Sequence, residues 1–253
     1  MSRIQGKTAF ITGASSGIGE AAARKFAEAG CNLVLAARRM DRLRTLAAKL
    51  PIKCHLIELD VRNRQAVDSA IAAIPAEFAA IDILVNNAGK ARGLAKLHEA
   101  DLADQEEMID TNVKGLLYCT RAVVPGMIKR GYGHVINIGS IAGHETYPNG
   151  SVYCATKHAV DAITKGLRLD LVDTPVRVST VDPGLVETEF SLVRFHGDTE
   201  RAKKVYVGYR PLTADDVAET VLWVADRPEH VQIAEVIILP SAQANAYVTH
   251  KTS

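Results

Sequence analysis

Seven short stretches of the chain are apolar almost without interruption: Lys7–Thr12, Asn32–Ala37, Ile52–Leu59, Asp82–Val85, His134–Ile138, Val176–Val181 and Glu235–Leu239. A strand with one face in water alternates apolar and polar residues, whereas a strand covered on both faces does not. Helical stretches separate the runs: Glu20–Ala29 ended by Gly30, Asp41–Leu50 stopped by Pro51, and Arg64–Ile74. A long tract from about Asp101 to Arg130 follows, with Pro125 expected to bend it near its end, then Ser151–Asp173 and Ala214–Ala225. Alternating buried strands and helices predict an α/β fold, a doubly wound parallel sheet with helices on both faces. Ligands in such sheets bind beyond the C-terminal ends of the strands, where the strand order reverses.

The 253 residues suit one domain of this kind, residues 1–253, with no repeat, linker or low-complexity segment. Lys and Arg total 30 against 29 Asp and Glu, so a general nucleic-acid binder, which carries a basic surplus, is not expected. No signal pattern and no membrane-spanning apolar run is present, which leaves the cytoplasm as the expected compartment. The cysteines at 31, 54, 119 and 154 have no metal-site spacing and read as buried free thiols on strands or helices. The eight histidines form no i, i+4 pair, and no metal is expected.

Three places at the predicted strand ends carry chemistry. The first strand runs straight into Gly13-Ala-Ser15-Ser16-Gly17-Ile18-Gly19 and a helix. Glycines let backbone approach a ligand, and the free N–H groups of a helix start attract an anion, although a turn of this kind can be purely structural. The second strand should end on the residue that reads the adenosine ribose. Here it ends in Arg38-Arg39, with no acid before Asp41. Guanidinium forks suit a 2′-phosphate, so NADP(H) is predicted over NAD(H), the alternative being a solvated basic helix start. Asp60-Val61 and Asn86-Asn87-Ala88-Gly89 close the third and fourth strands, where an adenosine would pass. Pro183-Gly184-Leu-Val186-Glu-Thr188 closes the sixth, beside the nicotinamide end.

Tyr153 and Lys157 are one helical turn apart, and Ser140 ends the fifth strand thirteen residues before the tyrosine. A cation beside a phenol favours the phenolate and makes a tunable acid/base, though such a pair by itself is commonly surface or packing. Asn112 lies mid-helix beside Gly115, a poor place for a residue that competes for backbone hydrogen bonds. It signals a local distortion, a bound water, or a tolerated polar residue.

These motifs, in this order and spacing over essentially the whole chain, resemble the short-chain dehydrogenase/reductase family. The resemblance implies a Rossmann-type seven-stranded sheet in one domain. It also implies Tyr153 as proton donor and acceptor, Ser140 positioning the carbonyl, Lys157 on the nicotinamide ribose and lowering the tyrosine pKa, and Asn112 holding a relay water. One departure is Gly139, where many members carry a second serine. The stretches Tyr147–Lys157, Gly184–Phe195 and Arg210–Glu219 further resemble the NADP-dependent 3-hydroxy acid (serine-type) dehydrogenase subgroup, which implies small hydroxy acid substrates and a homotetramer.

A small acid needs a cation for its carboxylate. Within the expected lid, residues 187–210, Arg194 is the candidate because apolar Leu192, Val193 and Phe195 flank it, a solvated lid charge being the alternative. Tyr147, His144 and Glu145 could wall the substrate pocket. Beyond the last strand, Ser241–Ser253 is expected to cross to a neighbouring subunit or to fray. The competing expectations are a broad reductase of ketones, aldehydes or semialdehydes, and a nucleotide-binding regulator without chemistry.

Overall fold

In a computed structural model describing residues 2–252, seven strands form one sheet. They are β1 (Thr8–Thr12), β2 (Asn32–Ala37), β3 (Cys54–Glu58), β4 (Ile81–Asn86), β5 (Gly133–Ile138), β6 (Val176–Pro183) and β7 (Glu235–Ile238). The order is β3-β2-β1-β4-β5-β6-β7, and every pairing is parallel. The chain winds outward one way from β1 to β3 and then restarts at β4 on the other side of β1. This reversal opens a crevice at the C-terminal ends of β1 and β4, where the glycine-rich turn and the Asn-Asn-Ala-Gly turn lie.

Both faces of the sheet are buried, as the unbroken apolar strands require. Ile11, Leu33, Leu35, Ile83, Val85 and Ile136 pack on one face with Phe26 of α1 (Gly17–Glu28) and Val221 of α9 (Ala214–Ala225). Phe10, Val34, Leu84 and Val135 pack on the other with Val67 of α3 (Arg64–Ala72) and Met127 of α5 (Gly115–Arg130). Neighbouring residues of one strand therefore serve opposite cores.

The long tract is not one helix. It comprises α4 (Leu102–Ile109), a π-helical turn at Asp110–Lys114 and α5, which continues through Pro125 to Arg130. Asn112 sits in the π turn, so its mid-helix position does mark a distortion. The helix carrying Tyr153 is α6 (Ser151–Asp170), and α2 spans Met40–Ala47. The segment 187–210, expected as a lid with no helix assigned to it, holds α7 (Glu189–Arg194) and α8 (Thr199–Lys204). The described part of the C-terminal tail, residues 241–252, packs on its own chain, and Ser253 lies outside the described residues. The buried Gln243 accepts from the Leu185 N–H at 2.8 Å, and the Thr252 N–H donates to the Gly208 carbonyl at 2.7 Å. The cysteines are free, but Cys31 lies in the turn before β2 and Cys54 is only half-buried.

Candidate active site

The crevice is floored by backbone. Gly13 has φ +67°, and a Cβ there would come within 2.9 Å of the Ala88 Cα. Gly17 has φ +56° and faces the Thr188 side chain. Both are left-handed conformations that glycine adopts without strain. α1 begins at Gly17 with Ser16 as N-cap, and no side chain caps its first N–H groups. Those donors face a cleft lined by Ser15, Ser16, Gly17 and Ile18, so the turn presents an unclaimed anion site. Asn87 ties the two turns together, its side-chain amide donating to the Thr12 carbonyl at 2.9 Å and its backbone N–H to Thr12 Oγ1 at 3.1 Å.

At one end of the cleft stand Arg38 and Arg39. Arg39 donates to Ser16 Oγ at 2.7 Å, Ser15 Oγ at 3.3 Å and Glu189 Oε2 at 3.0 Å. Arg42 donates to the other oxygen of Glu189 at 2.6 Å. The hydrogen bonds from Arg42 and then Arg39 hold the Glu189 carboxyl below the usual glutamate range, against burial. Arg39 is thus not a loose helix-start charge, because serine hydroxyls orient its guanidinium and a carboxylate from α7 braces it. This donor set fits a phosphate.

At the other end lie Ser140, Tyr153 and Lys157. Lys157 is buried, and its Nζ donates to the Ile138 carbonyl at 2.9 Å. Burial pulls its ammonium down to about 8, with Asp182 opposing. Lys157 Nζ is 6.0 Å from the Tyr153 ring centroid. Burial, then the neighbouring Tyr147, raises the Tyr153 phenol, while Arg194 and the Ser140 hydroxyl pull it back. The net direction is upward because desolvation, which disfavours the phenolate, is the largest cause.

Arg194, the last residue of α7, turns inward. Its guanidinium carbon lies 5.1 Å from the Tyr153 ring centroid, 5.3 Å from that of Phe190 and 5.8 Å from that of Tyr147. Nη2 donates to the Tyr147 hydroxyl at 2.6 Å, whereas the buried Nε has no hydrogen-bond partner. Gly150 makes room for this contact, since a Cβ there would overlap the Tyr147 ring.

Of the residues expected at the site, Gly13, Ser15, Ser16, Gly17, Ile18, Arg38, Arg39, Asp60, Val61, Asn87, Ala88, Gly89, Ser140, Tyr153, Lys157, Pro183, Gly184, Val186, Thr188 and Arg194 line one cleft. Three do not. Gly19 lies behind the turn, where a Cβ would overlap the Asn87 amide, so it serves helix packing. Tyr147 stands behind Arg194. Asn112 is buried beside the cleft, with Nδ2 on the Lys90 carbonyl at 2.8 Å and Thr156 Oγ1 at 3.0 Å, and Oδ1 accepting from the Lys90 N–H at 2.8 Å. Its amide thus locks the π turn to the residue after Gly89 and to α6. Sequence reasoning missed Lys90, Glu189, Phe190 and Tyr206 in the lining. Their only signal was proximity to a strand-end motif or membership of the segment 187–210.

Gly139 also has a structural cause. A Cβ there would overlap Asp182 Oδ1, which accepts from Thr180 Oγ1 at 2.7 Å. Asp182 in turn meets His144 Nε2 at 3.2 Å, and His144 Nδ1 lies 3.8 Å from Glu235 Oε1. Their ligand-type atoms lie within 4.8 Å of one another, a grouping that histidine spacing did not reveal. The imidazole lies between the two acids, one on each ring nitrogen.

A family model described as short chain dehydrogenase matches residues 7–197. The chain belongs to the short-chain dehydrogenase family. Among this dehydrogenase's relatives, the NADP-dependent 3-hydroxy acid dehydrogenase of Schizosaccharomyces pombe is 46% identical over 251 residues, 97% of each chain. The protein of that description from Salmonella typhi is 49% identical over 237 residues, 93% of this chain and 96% of its own. A solved closed form of serine dehydrogenase complexed with NADP+ superposes with a TM-score of 0.93 at 46% identity, covering 97% of this chain and all of its own. No helix among the described residues is long and apolar enough to cross a membrane.

Proposed function

We propose that this short-chain dehydrogenase uses NADP(H) to interconvert a small 3-hydroxy acid, of the serine, allo-threonine or 3-hydroxyisobutyrate type, and its 3-oxo form. One observation carries the reading: the Arg194 guanidinium stands over the Tyr153 ring, with a buried Nε that no group among the described residues satisfies. A half-buried guanidinium among three aromatic rings invites an anion, and a bidentate carboxylate matches its fork. A hydroxy acid held there presents its carbinol near the Tyr153 hydroxyl. The names of the relatives support the same substrate class.

The cofactor supplies the hydride acceptor in oxidation and the donor in reduction. Tyr153 takes the hydroxyl proton in oxidation and returns it to the carbonyl oxygen in reduction. Ser140 positions that oxygen. Lys157, fixed on the Ile138 carbonyl, keeps two N–H donors for the nicotinamide ribose and adds positive charge that favours the phenolate. Asn112 holds a water that passes protons towards Lys157, a role supported by the approach of Asn112 Oδ1 and Lys157 Nζ to the same side of Gly89. The uncapped start of α1 receives the pyrophosphate, Arg38 and Arg39 the 2′-phosphate, and residues 187–210 form the lid of a single-domain enzyme. Cytoplasmic residence and a homotetramer belong to the same reading. Exposed Leu102, Ile109 and Leu117 on α4 and α5 favour self-association, which light scattering measures.

The deciding experiment is a panel of L-serine, 3-hydroxyisobutyrate, 3-hydroxypropionate and simple ketones with NADP+ or NADPH, on wild type and Arg194→Ala. Hydroxy acids should be preferred, and the variant should raise their KM without weakening NADPH binding. An unchanged KM, or a preference for simple ketones, would replace this reading with a general carbonyl reductase.

A further inference from the structure

The helix that carries Arg194 cannot hold itself in place. α7 has six residues, too few for a stable isolated helix, and its Ser191, Leu192 and Val193 carbonyls accept from the Phe195, Gly197 and His196 N–H groups at 3.1, 2.9 and 3.4 Å. The last two carbonyls of the helix, of Val193 and Arg194, also accept from a segment distant in sequence. Arg92 Nη1 donates to the Val193 carbonyl at 3.0 Å, and the Gly93 N–H donates to the Arg194 carbonyl at 2.8 Å. Gly93 has φ +63°, a conformation that β-carbon residues rarely adopt.

Arg92 is itself anchored. Its Nε donates to Glu107 Oε2 at 2.8 Å, while Lys90 Nζ and Arg62 Nη1 meet Glu107 Oε1 at 2.6 and 3.4 Å. Burial would raise the Glu107 carboxyl, but hydrogen bonds from Lys90 and Arg92, with their charge, bring it to about 2. Glu107 lies on α4, which packs against α6, the helix of Tyr153 and Lys157. A chain of contacts thus runs from the rigid body through Glu107 and Arg92 to the backbone of Arg194. Arg92 is not part of the cleft lining.

We infer that Arg92 is a positioning residue for substrate selection: braced on Glu107, it fixes the C-terminal end of α7 and aims the Arg194 guanidinium at the space above Tyr153. The inference rests on Arg194 as the carboxylate ligand. Lysine would not replace it, because one ammonium lacks the fork that reaches Glu107 and Val193 together.

The test compares Arg92→Leu, Arg92→Lys, Arg194→Ala and the double variant Arg92→Leu/Arg194→Ala, using the best hydroxy acid of the panel and an independent NADPH fluorescence titration. Arg92→Leu should raise the KM of the acid about tenfold, the scale of one charge-assisted hydrogen bond, with Arg92→Lys intermediate and NADPH affinity unchanged. On the Arg194→Ala background Arg92→Leu should add nothing, since both act through one guanidinium. An additive loss, an unchanged KM in both Arg92 variants, or a parallel fall in NADPH affinity in both would overturn the role of Arg92. If Arg194→Ala itself leaves KM unchanged, the carboxylate reading fails first, and that result is separate from the others.

Discussion

Arg194 and Tyr147 are joined by a 2.6 Å hydrogen bond that holds the guanidinium against the Tyr153 ring. The acid/base and the group proposed to hold the substrate therefore come from different segments, α6 and α7, and Tyr147 of the loop after Ser140 ties them together. Removing the Tyr147 hydroxyl by Tyr147→Phe keeps the ring packed on Gly150 but frees one guanidinium donor. KM for the preferred hydroxy acid should rise roughly three- to tenfold, on the scale of one hydrogen bond to a charged group. Steady-state kinetics measures this, and an unchanged KM would show that Arg194 holds its place without Tyr147.

Cofactor choice offers a second measurement. Arg39 is oriented by Ser15 and Ser16 and shared with Glu189. Arg39→Ala should weaken NADPH binding about tenfold or more while leaving NADH nearly unchanged, because only the 2′-phosphate uses the guanidinium. Glu189→Gln removes a carboxylate beside that phosphate site and should tighten NADPH selectively. Fluorescence titration of both cofactors decides the matter; equal effects on NADPH and NADH would place the 2′-phosphate elsewhere.

The sheet, its direction and the cleft at its C-terminal edge were legible because unbroken apolar strands and strand-end glycines are local signals with few structural solutions. The π turn was half legible, since Asn112 marked a distortion but not its type. Other features depend on residues far apart in sequence. Glu107 meets Arg92 only after β4 and α4 are placed, and the cause of Gly139 is Asp182, 43 positions later. Gly19 was assigned to the cofactor because it shares a motif with Gly13 and Gly17, yet the start of α1 turns it towards Asn87. The helices in 187–210 were missed because each is only six residues long and is held by tertiary contacts, not by its own periodicity.

Gly139, where many members of the family carry a serine, gives a stability prediction. In Gly139→Ser the new Cβ must displace the Asp182 carboxylate from Thr180 and His144. Overpacking of this kind costs about 1–3 kcal/mol, so the melting temperature should fall. Truncating the obstacle in Gly139→Ser/Asp182→Ala should recover part of that loss, because the two positions compete for one space. A Gly139→Ser protein as stable as wild type would mean that Asp182 can swing away freely.

Lys157 should make the protein less stable than it could be near neutral pH. Burial lowers its ammonium from an ordinary value of 10.5 to about 8 in the fold. Between these values the unfolded chain binds more protons at this site than the native state, so unfolding free energy rises with pH there. The stabilising difference is fully present above about 10.5 and is lost as pH falls through about 8. Lys157→Met removes the buried charge while keeping an apolar chain of similar length. It should melt higher than wild type at pH 7, and the gap should narrow as pH rises from 8 towards 10. Activity should be lost throughout, because Lys157 is proposed to hold the ribose and favour the phenolate. Thermal melts of both proteins across this range read the effect directly; a constant gap would mean that the ammonium does not titrate in this window.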